Sequence, residues 1–289
     1  MQDGPEDPVT RGVDAREGMA ELRRLIRAEA ARGPTDHAGV AGQLHGLCAA
    51  LVRVLPATGA GVSLWGSGGI GGGIAAHAGP GTKELEELQF TLGEGPCIEA
   101  CSTRRVVLEP DLSGRGTRRW PGYGPAASAA GAGAVFAFPL GAGSACVGSL
   151  DVYQAAEGSL PPAALRQGFW FAEIALELVL NGQSLAAPGA LPPGLDDALA
   201  YRLEVYQAQG MITVDLGVSL AEAMLRLRAY AFAVNRPVSD VAHDIVDGRL
   251  RLDRDPERVD NEVRGLEERE DREDPDALDG LDGSDGSHG

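Results

Sequence analysis

The chain has 289 residues, of which 44% are hydrophobic, enough for a real core and too many for global disorder. Its 25 basic and 42 acidic residues leave a formal charge of −17. That excludes a protein that coats nucleic acid by bulk positive charge, and a polybasic membrane binder. The charge is uneven, because the stretch from Asp253 onward holds 15 acids and five arginines and accounts for −10 of the total. Four cysteines in this length do not make a disulfide framework. The start, Met1-Gln2-Asp3-Gly4-Pro5-Glu6-Asp7, lacks the basic and apolar regions of a signal peptide. Residues 121–150 carry no charge, but Pro139-Leu140-Gly141 interrupts them. Two buried strands joined by a turn fit that stretch better than a membrane helix of about 20 apolar residues. Together these features predict a cytoplasmic protein with no membrane partner.

In chain order, residues 1–36 read as a mobile polar arm with one amphipathic patch, Met19 to Ile26. A helix follows over 40–55, where Leu44, Leu47, Leu51, Val54 and Leu55 recur at helical spacing. Residues 61–65 alternate like a strand, 68–73 form a glycine-dense turn, and 74–78 return as a second strand. Residues 83–92 predict a helix, 105–108 a strand, and 120–130 a loop with a small helix. Residues 134–138 and 146–153 predict a strand hairpin. From about Ser159 a long helix begins, with Pro161 and Pro162 where helix starts tolerate proline. Leu165, Phe169, Ala172, Leu176 and Val179 give it an apolar stripe. This order describes an α+β domain over 37–182.

Residues 183–194 are turn-rich and read as a linker. An all-helical segment over 195–254 follows. Ala198, Tyr201, Val205, Ala208 and Ile212 mark its first helix, which Gly217 ends. Ser219 and Glu222 have the spacing of a capping box at the start of the second. Pro237 opens the third helix and Gly248 closes it. The acidic stretch over 255–289 has too few apolar residues to order itself and predicts a disordered tail.

Little in the chain points to catalysis. Cys97 near Glu94 and Glu99, with His77 upstream, is a conceivable nucleophile pair, but no nucleophile elbow, phosphate loop or carboxylate pair accompanies it. Gly66-Ser67-Gly68-Gly69-Ile70-Gly71 matches Gly-x-Gly-x-x-Gly, yet it lies between strand-like runs where a dinucleotide fingerprint would open a helix. Cys97 and Cys101, four apart, could sense redox state or hold a metal with His77; a second ligand pair at standard spacing is missing, so a structural role is expected. The chain is read as a non-enzyme with no metal and no predicted cofactor. From Asp196 to Leu252 the helical segment carries six arginines against eight acids, so composition alone gives it no nucleic-acid signal.

Three runs within that segment carry a resemblance. They are Tyr206-Gln207-Ala208-Gln209-Gly210-Met211-Ile212, the stretch from Ser219 to Ala231, and Asn235-Arg236-Pro237-Val238-Ser239-Asp240-Val241-Ala242-His243-Asp244-Ile245-Val246. Together they resemble an ANTAR domain, a three-helix RNA-binding output module of bacterial transcription antiterminators. The first domain resembles a GAF domain, an α+β ligand sensor. Its run Leu92-Gly93-Glu94-Gly95-Pro96-Cys97 is similar to that of GAF domains joined to ANTAR outputs. Phe138-Pro139-Leu140 and Val147-Gly148-Ser149-Leu150 fit the closing strands of that family. The resemblance implies a homodimer that binds RNA with paired hairpins and prevents a terminator from forming. Gln209, Gly210, Arg226, Arg228 and Arg236 are the expected RNA-binding residues, all but Gly210 expected to be exposed. An unknown small molecule is the expected sensor ligand, in a pocket of Trp65, Cys97, Phe136 and Phe138. Many ANTAR domains carry a basic residue where Gln209 stands, and the net charge here is negative. The alternative is therefore a degenerate ANTAR module that dimerises or recruits a protein without binding RNA. The stripe from Leu165 to Val179 and the seam from Ala198 to Ile212 are candidate dimer contacts.

Overall fold

The computed structural model describes residues 8–33, 39–65, 72–143, 145–185 and 196–252. The glycine run at 66–71 and the tail beyond 252 lie outside the described residues, as does most of the expected linker.

The first half is built on a five-stranded antiparallel sheet in the order β2-β1-β5-β4-β3. Its strands are β1 (Gly59–Trp65), β2 (Gly72–Ala78), β3 (Val107–Glu109), β4 (Ala134–Ala142) and β5 (Ala145–Gln154). The expected hairpin is β4–β5, with Phe136 opposite Val152 and Phe138 opposite Leu150. Strand β1 pairs with β5 on its other edge, Val62 facing Leu150.

The two faces of the sheet are chemically different, and the period-two alternation of the strands decides which residue meets which face. Phe136, Phe138, Leu150, Val152, Ala60 and Val62 point to one side. There they meet α2 (Gly39–Val54), through Leu44, Leu47 and Leu51, and α7 (Pro162–Leu185), through Phe171, Ile174 and Val179. Gly168 lets α7 settle on the Phe138 ring, which a Cβ there would strike. The next residues along each strand, Val135, Ala137 and Tyr153, face the other side. That side is covered by α3 (Thr82–Leu92), α4 (Pro96–Thr103) and α6 (Tyr123–Ala129). A π-helical turn at Leu112–Gly116 and the single turn α5 (Thr117–Arg119) lead into α6.

The expected mobile arm is corrected here. Residues Pro8–Ala30 form one helix, α1, whose Leu22 and Ile26 are buried in the main core. It rides on α2 at Gly46, where a Cβ would come within 2.6 Å of the Ala30 backbone nitrogen. Close approach of two helices at a glycine explains why a short amphipathic patch extends into a long helix. The stripe expected on α7 is rotated as well, since Ala164, Phe171, Ala172, Ile174, Ala175 and Val179 are buried while Phe169 is half exposed.

The second half contains α8 (Asp196–Leu216), α9 (Leu220–Ala233) and α10 (Val238–Val246). Val205, Ala208, Ile212, Ala223, Leu227, Ala231, Val238, Val241, Ala242 and Ile245 form its separate core. The small residues Ala208, Ala223, Ala231 and Ala242, all fully buried, let the helices approach closely. Val205, Ala208 and Ile212 are therefore committed to the bundle, and the expected dimer seam on α8 is corrected to a core stripe. Gly217 ends α8 at a φ of 66°. Ser219 accepts from the Glu222 N–H at 3.2 Å, but the Glu222 carboxylate turns to Arg226, so half of the capping box forms.

A disulfide joins Cys101 of α4 to Cys146 of β5, with Cα atoms 5.5 Å apart. By sequence, Cys101 groups with Cys97 as a redox or metal candidate, and the bridge to Cys146 is not foreseen. Cys97 is free and buried, one helical turn away and facing the sheet. Cross-linking positions 45 apart in sequence constrains the unfolded chain by about 4 kcal/mol on the loop-entropy model. Replacing both cysteines by serine is expected to lower the urea midpoint of the first half, and an unchanged midpoint would count against the bridge as a stabilising link.

Candidate functional site: a buried acidic network and an arginine-bearing helical bundle

Helix α3 begins after Gly81 and ends at Gly93, both in the left-handed region that only glycine adopts freely. Its inner face carries two polar side chains, Glu86 and Gln89, which are buried against the sheet. Glu86 accepts from the Ser63 hydroxyl at 2.5 Å and from the Tyr153 hydroxyl at 2.9 Å. Gln89 donates to Asp151 at 2.7 Å and to the Tyr153 oxygen at 3.0 Å. Its carbonyl oxygen accepts the Cys97 backbone N–H at 2.7 Å. Asp151 also accepts from the Ser149 hydroxyl at 2.5 Å. Glycines make the room: a Cβ at Gly61 would collide with Glu86, and one at Gly95 would sit 2.7 Å from the Gln89 oxygen.

The run Leu92-Gly93-Glu94-Gly95-Pro96-Cys97 thereby acquires a physical reading. Gly93 stops α3, and Gly95 at a φ of 137° swings the chain past Gln89. Pro96 starts α4, and Cys97 supplies the amide that Gln89 takes. The Glu94 carboxylate accepts the N–H groups of Gly122 at 2.6 Å and Tyr123 at 2.9 Å, holding the start of α6. Tyr123 is fully buried, with a hydroxyl that makes no hydrogen bond among the described residues.

Glu86 and Asp151 are both fully buried, and every partner that satisfies them is neutral. Burial raises the Glu86 pKa to about 8, with the neighbouring Asp151 charge adding to the effect and the Ser63 and Tyr153 hydroxyls opposing it. Burial also raises Asp151 above the ordinary carboxylate range, to about 6. The Cys97 thiol is pushed well up by burial and then by the charges of Asp151 and Glu86, which makes it a poor thiolate nucleophile. His77 does not join it. The His77 ring meets that of His45 edge-on at 5.6 Å, beside the cleft between the two halves.

The expected ligand pocket does not assemble. Phe136 and Phe138 lie on the α2 and α7 face of the sheet, while Cys97 lies under α4 on the opposite face. Trp65 stands half-buried at the end of β1, its indole N–H buried and without a hydrogen bond among the described residues. The alternation of side chains along β4 separates these groups. The polar residues Glu86, Gln89, Asp151 and Tyr153 were not singled out in the sequence. The signal for them is an acid inside the otherwise uncharged β5 and an acid and an amide three apart on α3.

On the helical half the expected RNA residues are dispersed. Gln209 is buried, 8% exposed, and donates to the Leu220 carbonyl at 2.7 Å, so its expected exposure is corrected to a bond inside the bundle. Gly210 lies in α8 with open space where a Cβ would stand. Arg226 pairs with Glu222 at 2.8 Å, and Arg236 with Asp244 at 2.7 Å. Asp244 also holds Arg249 at 2.8 Å, and the two arginines lower its pKa through their hydrogen bonds. Arg228 is half-buried with its guanidinium 5.8 Å from the centre of the Phe90 ring on α3.

The structure defines an α+β domain followed by a helical domain, and comparison with known proteins bears on each. Residues 194–246 match the family model of the ANTAR domain, and the chain carries that domain there. The first half has an α+β fold on an antiparallel sheet. The GAF domain of an Acinetobacter phosphoenolpyruvate-protein phosphotransferase is similar at 9% identity and a TM-score of 0.46, over 59% of this chain and 96% of that one. The GAF domain of the Coxiella burnetii phosphotransferase is similar at 16% identity and a TM-score of 0.44, over 58% and 96%. The free methionine-R-sulfoxide reductase of Neisseria meningitidis is similar at 16% identity and a TM-score of 0.43, over 64% and 98%. No curated protein matches the chain by sequence. Among the described residues no helix is long and apolar enough to cross a membrane, and no group of three or more His, Cys, Asp or Glu is placed to hold a metal.

The buried acids give a prediction of definite sign. A carboxyl whose folded pKa is raised stabilises the fold at low pH, and that contribution is lost as pH rises towards the folded value. Stability of the first half is therefore expected to fall between the ordinary carboxylate range and about pH 8. In Glu86→Gln, whose amide oxygen still accepts from Ser63 and Tyr153, thermal melts are expected to match the parent near pH 5 and to exceed it at pH 8. An equal pH dependence in both proteins would remove Glu86 as the cause.

Proposed function

We propose that the protein is a cytoplasmic, signal-responsive transcription regulator. In this reading the GAF-like half senses a small molecule or a redox change. The ANTAR half binds RNA hairpins and thereby promotes antitermination. The observation that carries the reading is the match of residues 194–246 to the ANTAR family, on a closed bundle with its own core.

The physical case for RNA is one of geometry over bulk charge. Looped bases offer edges and faces, and arginine supplies both phosphate contacts and stacking. Arg226 and Arg236 each keep a half-exposed guanidinium whose carboxylate partner is also solvent-accessible. Pairs of this kind contribute about 0–1 kcal/mol and exchange readily for a phosphate. A homodimer would set two such bundles side by side for two hairpins. The exposed apolar residues Phe169 and Leu180 on α7, and Leu203 and Val214 on α8, are the surfaces proposed for it. The half-buried disulfide at Cys101 supports the redox arm of the sensing reading.

A second reading has its own observation: the helical segment has a net negative charge, and Arg226 and Arg236 are both held by carboxylates of the same bundle. There the module dimerises or recruits a protein and no longer binds RNA. Filter binding of a two-hairpin RNA by the full chain separates the two. The first reading expects salt-sensitive binding, with Arg236→Ala weakening it and reducing the slope against salt by about 1. Binding that is absent at low salt in both reduced and oxidised protein would favour the second.

A further inference from the structure

We infer that the outward face of α3 is a docking surface for the α9–α10 corner of the output bundle, and that docking there and RNA binding exclude each other. The second half of this inference rests on the RNA reading above; the first half does not.

Three contacts of different chemistry converge on the last turn of α3. Phe90 packs against the core of the helical bundle, although it belongs to the sensor. Arg228 lies over the Phe90 ring at 5.8 Å, within the range of a cation–π contact. The same guanidinium fills the space beside Gly93, where any Cβ would collide with it. The N–H of Val238 donates to the Thr91 hydroxyl at 3.3 Å, with Val238 fully buried and Thr91 nearly so.

The last contact is the most telling. The first N–H groups of a helix have no partner within that helix and need one from outside. The residue before α10 is Pro237, which offers no capping side chain. The sensor therefore supplies, through Thr91, a capping oxygen that the output domain lacks. The dock also half-buries Arg228 against Phe90 and Gly93, and Arg228 is one of the residues expected to meet RNA. A cleft of about 1240 Å³ runs beside the dock, lined by His77, Glu87, Asn235, Arg236, Asp240 and His243 among others, and α8 packs against β2 as a second contact between the halves. The inner face of α3 carries Glu86 and Gln89, so a change in the sensor's buried network acts on the same helix that holds the output.

The test uses the full chain, with Phe90→Ala and the nearly isosteric Thr91→Val. Hydrogen exchange at the Val238 amide reports docking directly, because Thr91 is its partner. Docking predicts slow exchange in the parent and at least tenfold faster exchange in either variant, with thermal melts confirming that both remain folded. Fast exchange in the parent overturns the dock. Exclusion predicts that the variants bind a two-hairpin RNA roughly tenfold or more tightly than the parent, as when the competent state rises from a tenth to nearly all of the population. Equal or weaker RNA binding by variants whose Val238 exchanges fast overturns exclusion while leaving the RNA reading intact. Absence of RNA binding by parent and variants alike overturns both the exclusion and the RNA reading, and the Val238 exchange still decides the dock.

Discussion

The arrangement of the α+β half depends on one amide side chain. Gln89 donates to Asp151 and to the Tyr153 oxygen on β5 with its nitrogen, and accepts the first free amide of α4 with its oxygen. A single fully buried side chain thus ties α3, α4 and the central strand together. Buried polar groups cost stability unless they are bonded, and a network satisfied on all sides gives the core one arrangement in preference to others. Gly61 and Gly95 belong to the same constraint, since each leaves the space that Glu86 or Gln89 occupies.

That constraint has an electrostatic remainder. Ser63, Ser149, Tyr153 and Gln89 satisfy the hydrogen-bonding capacity of Glu86 and Asp151, but none of them carries positive charge. The protein accommodates the two carboxyls by favouring the neutral form of Glu86. The stability of this core is consequently linked to the protonation of Glu86 on the inner face of α3.

The order of helices and strands was legible because it depends on local periodicity, and the strands of the β4–β5 hairpin fall where the alternation predicts. The helical bundle was legible for the same reason, including Gly217 and Ser219 at its turns. What periodicity does not disclose is which side of a strand faces which layer. Phe136 and Phe138 look like pocket aromatics in sequence, and they are the floor of the α2 and α7 core. Gln209 was misread because an amide at a helical position between apolar neighbours is written identically whether it faces solvent or reaches the Leu220 carbonyl. The bridge was not legible because Cys97 is nearest to Cys101 in sequence, while Cys146 reaches it from β5. Helix α1 was underestimated because its support, the bare backbone at Gly46, lies on a different element.

Thr91 and Gly93 also bear on how such a protein is assembled from parts. A helical module whose third helix begins at a proline without a cap of its own is not fully self-sufficient. Any Cβ at position 93 would press on the Arg228 guanidinium, and loss of the Thr91 hydroxyl would leave the first amide of α10 without its acceptor, so the two halves of this chain are fitted to each other at these positions.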